Sequence, residues 1–130
     1  MIADLITGIE HLGLPTNDIE KTIAFYESLG FQVTLRSVFR GTDIPVAFMQ
    51  LKDLVIETYE NHRAAMQDGA INHVAMRVTD IESAFEQIKA SGCTMIHDEI
   101  QFLPFWEKGV RFFTIRGVNN EKIEFSQIIL

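Results

Sequence analysis

Apolar and polar positions along this chain change from a two-residue to a helical period twice, at matching places in its two halves. Leu12 and Leu14 alternate with small residues, and then Ile19, Ile23 and Tyr26 recur at helical spacing beside Thr22 and Phe25. In the second half Val74, Met76 and Val78 alternate, followed by Ile81, Phe85 and Ile88 at the same offsets beside Ala84. Runs rich in branched and aromatic residues fill the rest. They predict strands over 8–14, 31–39, 45–51 and 54–59, then over 71–78, 94–100, 110–115 and 122–128. The predicted order is β-α-β-β-β, twice.

The halves also match residue by residue. His11-Leu-Gly-Leu-Pro-Thr-Asn-Asp18-Ile19-Glu20 returns without a gap as His73-Val-Ala-Met-Arg-Val-Thr-Asp80-Ile81-Glu82. Asn17 or Asp18, and Thr79 or Asp80, supply helix-capping oxygens. Glu20 and Glu82 suit the helix dipole, and Gly30 and Gly92 are the expected C-terminal stops. Turn chemistry stands at Gly41-Thr42-Asp43, at Lys52-Asp53 and at Gly117-Val118-Asn119-Asn120. The expectation is one α+β domain over 1–130, made of modules 1–61 and 70–130 joined by a short connection at 62–69.

At 130 residues, with 47% hydrophobic and 22% charged residues, the chain can bury a core without metal or disulfides. A bound metal would therefore serve function more than folding. The net charge of −7 argues against nucleic-acid or anionic-membrane partners. One cysteine, Cys93, with no membrane-length apolar run and no leader-like start, fits a cytoplasmic protein.

The duplication carries chemistry. Each half opens with a His and closes a strand-like run with a Glu, Val55-Ile56-Glu57 in the first and Lys122-Ile123-Glu124 in the second. Strand alternation puts His11 with Gly13 and Pro15, His73 with Ala75 and Arg77, Glu57 with Val55 and Tyr59, and Glu124 with Lys122 and Ser126. Each of the four lies opposite an apolar face that can pack on a helix. A lone strand His or Glu is usually structural or solvated, whereas recurrence of both points to a shared metal site. His62 and His97 have no repeat partner and are read as structural or surface residues; Cys93 is read as packing.

These segments resemble the vicinal oxygen chelate superfamily, the group of glyoxalase I, methylmalonyl-CoA epimerase, extradiol dioxygenases and fosfomycin or bleomycin resistance proteins. The likeness spans nearly the whole chain. It implies two βαβββ modules forming a cup-shaped sheet with helices on its outer face. The His, Glu, His, Glu pattern is similar to bacterial glyoxalase I, which implies His11, Glu57, His73 and Glu124 as ligands of one divalent metal, Ni2+, Zn2+, Co2+ or Mn2+. It further implies Glu124 as general base, with Glu57 as the opposite acid or base. The implied reaction is a lyase or isomerase conversion of a 2-oxoaldehyde–thiol hemithioacetal to a 2-hydroxyacyl thioester through a metal-stabilised enediolate. The superfamily also holds epimerases of thioesters or sugars and non-catalytic binding or resistance proteins, and implies a homodimer with ligands from one chain or two.

The chain departs from glyoxalase I at Pro15, where an Arg commonly holds the glutathione carboxylate. It keeps an Asn four residues beyond the second ligand, as Asn61, and has Val118-Asn119-Asn120 in place of a frequent Pro-Asp-Gly turn. Further candidates for substrate contact are Arg77, Lys108 and Arg111, with Phe105 and Trp106 in an apolar loop at 102–106 that reads as a lid or an interface.

Overall fold

A computed structural model describes residues 1–130. The chain divides into two compact units, Met1–Ala64 and Ala65–Leu130. After a 3-10 turn at Ile2–Asp4, unit 1 runs β1 (Leu12–Thr16), α1 (Ile19–Ser28), β2 (Gln32–Val38), β3 (Pro45–Leu51) and β4 (Leu54–Glu60). Unit 2 runs β5 (His73–Arg77), α2 (Ile81–Ala90), β6 (Thr94–Met95), β7 (Gln101–Leu103), β8 (Val110–Arg116) and β9 (Lys122–Ile128). This is the α+β architecture with two sheets and two helices that the periodicities predict.

In unit 1 the sheet order is β1-β4-β3-β2, with β1 parallel to β4 and the other pairs antiparallel. In unit 2 the order is β5-β9-β8-β6, with β5 parallel to β9 and β7 also pairing β8. Chain reversal over one helix and two hairpins thus returns each final strand beside the first. That parallel pairing sets a late Glu next to an early His.

The helices start where the sequence says and are held by a duplicated device. The Asp18 side chain accepts from the Lys21 amide at 3.1 Å, and Asp80 accepts from the Ser83 amide at 3.1 Å. In addition the Ile19 amide donates to Glu60 Oε1 and the Ile81 amide to Gln127 Oε1, each at 2.9 Å. Glu60 lies three residues beyond Glu57, and Gln127 three beyond Glu124. Each Glu-bearing strand is therefore tied to the helix that comes after the His-bearing strand. Gly30 and Gly92 end the helices at positive φ, 104° and 84°.

Each core lies between a helix and its own sheet. In unit 1 Ile19, Thr22, Ile23 and Tyr26 of α1 are buried, with Phe31, Met49 and Ile56. In unit 2 Phe113 stacks on Phe125 at 5.0 Å and meets Phe85 of α2 edge-on at 5.1 Å, beside buried Ile81, Ile115 and Ile123. No helix is long and apolar enough to cross a membrane.

Three boundaries differ from expectation. The first strand is Leu12–Thr16 rather than 8–14, so His11 sits immediately before it. The strand expected over 94–100 ends at Met95, because His97, Asp98 and Glu99 interrupt the ladder. The stretch read as a loop at 102–106 is part strand: Phe102 and Leu103 pair with Arg111 and Val110. The turn itself begins only after Leu103 and passes through Trp106 at φ 59° and Gly109 at φ 97°.

Candidate metal centre

The parallel pairs fix the geometry. In unit 1 Gly13 stands opposite Glu57, and in unit 2 Ala75 stands opposite Glu124. Each His lies two residues before that small partner, hence on the same face. Gly13 and Ala75 leave room over the carboxylates; a Cβ on Gly13 would already touch the Tyr59 ring at 3.8 Å.

His11 Nε2 lies 3.6 Å from Glu57 Oε1, and His73 Nε2 lies 3.9 Å from Glu124 Oε1. The Glu side chains are mostly covered, and the imidazoles are one-third to under one-half exposed. Both pairs are reachable from solvent yet held in place. Phe48, opposite Glu57 in the ladder, braces the His11 ring edge-on at 5.4 Å.

The other ring nitrogen decides what each Nε2 can do. His11 Nδ1 is 3.1 Å from Glu10 Oε1, and His73 Nδ1 is 2.9 Å from Asn72 Oδ1. Both neighbours present an oxygen acceptor, so each Nδ1 donates and a neutral ring turns the Nε2 lone pair toward the Glu. Two electron-rich atoms then face each other beyond hydrogen-bond range. A cation between them resolves that opposition. Donors bound about 2.1 Å from one metal stand about 3.0–3.4 Å apart, so an inward shift of under about 1 Å suffices. The donor set therefore fits a borderline divalent cation. Neither unit by itself gathers three or more His, Cys, Asp or Glu around one point; each offers one pair.

Sequence reasoning missed Glu10 and Asn72, although each is the residue immediately before a repeated His and carries a side-chain oxygen. It also missed an ion cluster beside the second pair. Lys122, opposite His73 in the ladder, pairs with Asp68 at 2.9 Å, and Arg116, opposite Lys122, bonds the other Asp68 oxygen. The Arg116 and Lys122 hydrogen bonds hold the Asp68 carboxyl below its ordinary range.

The remaining candidates scatter. Arg77 lies on the His73 face, opposite Ser126. Arg111 alternates to the helix side, where it pairs with Glu82 of α2 at 3.0 Å, so the structure does not bring it to the Glu124 face. Asn61 closes a local turn by accepting from the Arg63 amide at 3.0 Å. Lys108 is exposed in the β7–β8 turn, and Phe105 and Trp106 are 54% and 66% exposed there. His62 pairs with Glu60 at 3.7 Å, while His97 meets Phe112 edge-on and keeps a buried Nδ1 without a hydrogen-bond partner.

This architecture has known counterparts. The profile of the Glyoxalase/Bleomycin resistance protein/Dioxygenase superfamily matches residues 8–114, and the chain belongs to that superfamily. It is 31% identical over 124 residues to the uncharacterized protein YwbC of Bacillus subtilis (strain 168), covering 92% of this chain and 96% of that one. Among solved structures it is similar in fold to the fosfomycin resistance protein FosX from Listeria monocytogenes complexed with Mn(II) and sulfate. That match has a TM-score of 0.70 and 20% identity over 96% of this chain and 95% of the other. It is also similar to a glyoxalase family protein from Enterococcus faecalis, with a TM-score of 0.75 and 17% identity over 94% and 98% of the two chains.

Proposed function

We infer that His11, Glu57, His73 and Glu124 hold one divalent cation, Ni2+, Zn2+, Co2+ or Mn2+, and that the chain is a glyoxalase I-like lyase or isomerase. The observation that carries this reading is the duplicated Nε2-to-carboxylate opposition with Nδ1 already committed. The two pairs would complete each other in a cytoplasmic homodimer or within one chain, and two imidazoles with two carboxylates would hold and neutralise the ion. FosX binds Mn(II) in the related structure, which supports a divalent ion here.

The bound cation supplies Lewis-acid polarisation of two adjacent substrate oxygens, lowering the pKa of the C–H between them. The proton work falls to this chain's carboxylates. Glu124, on a rigid central strand beside Ala75, takes the proton from one face of the substrate carbon. Glu57 returns or accepts a proton on the other, and the His–Nδ1 contacts keep both imidazoles from drifting. The substrate is a small molecule, and the net charge of −7 argues against nucleic-acid or anionic-membrane partners.

The test is turnover of methylglyoxal hemithioacetals made from several thiols by the metal-reconstituted protein, beside Glu124→Gln. The reading expects product from at least one thiol and loss of about a thousand-fold or more in the variant. Product from none rejects the glyoxalase reading; full activity in Glu124→Gln rejects that residue as base. Pro15, which offers no anion anchor where glyoxalase I commonly has one, favours as second reading an epimerase or a protein that captures a small molecule without turnover.

A further inference from the structure

Duplication has kept each His–Glu pair and changed what stands beside it. One step along the same face from Gly13 and Glu57, the cross-strand partners are Pro15 and Tyr59. At the corresponding step from Ala75 and Glu124 they are Arg77 and Ser126. The neighbouring strand adds Val46 beside Tyr59 in unit 1 and Phe112 beside Ser126 in unit 2. The flank of Glu57 is thus apolar and aromatic, with Tyr59 edge-on to Phe39 at 5.7 Å. The flank of Glu124 presents a guanidinium and a hydroxyl against a phenyl wall.

Arg36, Arg111, Arg116 and Lys122 have carboxylate partners, and Arg77 is among the cations that do not. Of those without one it alone stands in a strand, on the face shared with His73. The Ser126 hydroxyl likewise makes no hydrogen bond. Two residues along a strand is about 7 Å, so an oxyanion held by Arg77 and Ser126 lies a few bonds from atoms beside Glu124. A guanidinium offers two parallel donors to a carboxylate, phosphonate or phosphate, and the hydroxyl adds a third.

We propose that Arg77 and Ser126 form an anion subsite that selects substrates carrying a carboxylate, phosphonate or phosphate a few bonds from the oxygens undergoing reaction. The distance rule rests on the reading of His73 and Glu124 as metal donors; the subsite itself rests only on the face shared by Arg77 and Ser126. Unit 1 has no equivalent, because Pro15 and Tyr59 fill those places.

Hydroxamates, which chelate a divalent cation through two adjacent oxygens, provide the probes. Manganese-loaded protein is titrated with phosphonoacetohydroxamate, succinate monohydroxamate and uncharged propionohydroxamate. At least one anionic probe binds ten-fold or more tightly than the neutral one, and which one identifies the preferred oxyanion. Arg77→Gln removes the difference, and Ser126→Ala reduces it. Equal affinities for all three probes, or a difference that survives Arg77→Gln, overturns the subsite. In metal-free protein, methylphosphonate shifts the Arg77 Nε–H resonance in NMR spectra. A protein that shows this shift but holds no metal keeps the subsite and loses the metal reading, whereas metal binding with neither discrimination nor shift keeps the metal and loses the subsite.

Discussion

His11 Nε2 and Glu57 Oε1 face each other at 3.6 Å, too far to share a proton in a hydrogen bond and close enough to share a metal. The same relationship recurs between His73 and Glu124 at 3.9 Å, from a different stretch of chain folded the same way. What aims both Nε2 atoms is the acceptor behind each ring, Glu10 in one unit and Asn72 in the other, which takes the Nδ1–H. These are positioning residues.

Glu10→Leu or Asn72→Leu is accordingly expected to weaken divalent-metal affinity by about ten-fold, the lower end for ligands that lose their outer hydrogen bond. Competition with a chromophoric chelator measures it. Glu10 is largely exposed, so its thermal midpoint should not move. Unchanged affinity in both variants would show that the rings need no such orientation.

Stability is concentrated elsewhere. Phe113 is fully buried between Phe85 and Phe125, and Phe113→Ala leaves a cavity that packing cannot close. Urea denaturation should show a loss of about 3–5 kcal/mol. Trp106→Ser, at an exposed position, should change stability by less than about 0.5 kcal/mol. A large loss in the second variant would mean that the turn is covered in solution.

Gly109 is required by geometry. Its φ of 97° disfavours any side chain, and a Cβ there would lie 2.3 Å from the Phe102 ring. Gly109→Ala should destabilise by about 1–3 kcal/mol in the same measurement. A neutral result would mean that Phe102 swings away freely.

The Asp68 cluster gives a pH signature. A carboxyl held below its ordinary pKa by Arg116 and Lys122 contributes stability that is present above the unfolded carboxylate range and disappears as pH falls through its folded pKa. Asp68→Asn should therefore melt below the parent chain at neutral pH, and the gap should close in strong acid. A gap that stays constant down to the acid limit would assign the effect to packing instead.

Legibility followed locality. The helices could be read because their caps, stripes and stops sit within a dozen residues, and Asp18 and Asp80 emerged as the caps. The sharing of one face by each His and Glu was legible because strand alternation is fixed. Phe102 and Leu103 looked like loop because a three-residue strand before Pro104 gives too little pattern to recognise. Residues 94–100 looked like one strand because Ile96 and Ile100 mimic alternation across a break at 97–99. Glu10, Asn72, Arg116 and Asp68, and the pairing of Lys122 with Asp68, were not legible because ordinary polar residues reveal a role only when ring nitrogens and carboxylates acquire positions.

The most direct measurement is a metal titration by calorimetry on the parent chain, His11→Ala, His73→Ala and the double variant. A joint centre gives one divalent ion per chain, an affinity loss of at least a hundred-fold in either single variant, and no further large loss in the double. Two separate weak sites, each abolished by its own substitution and indifferent to the other, would contradict the account.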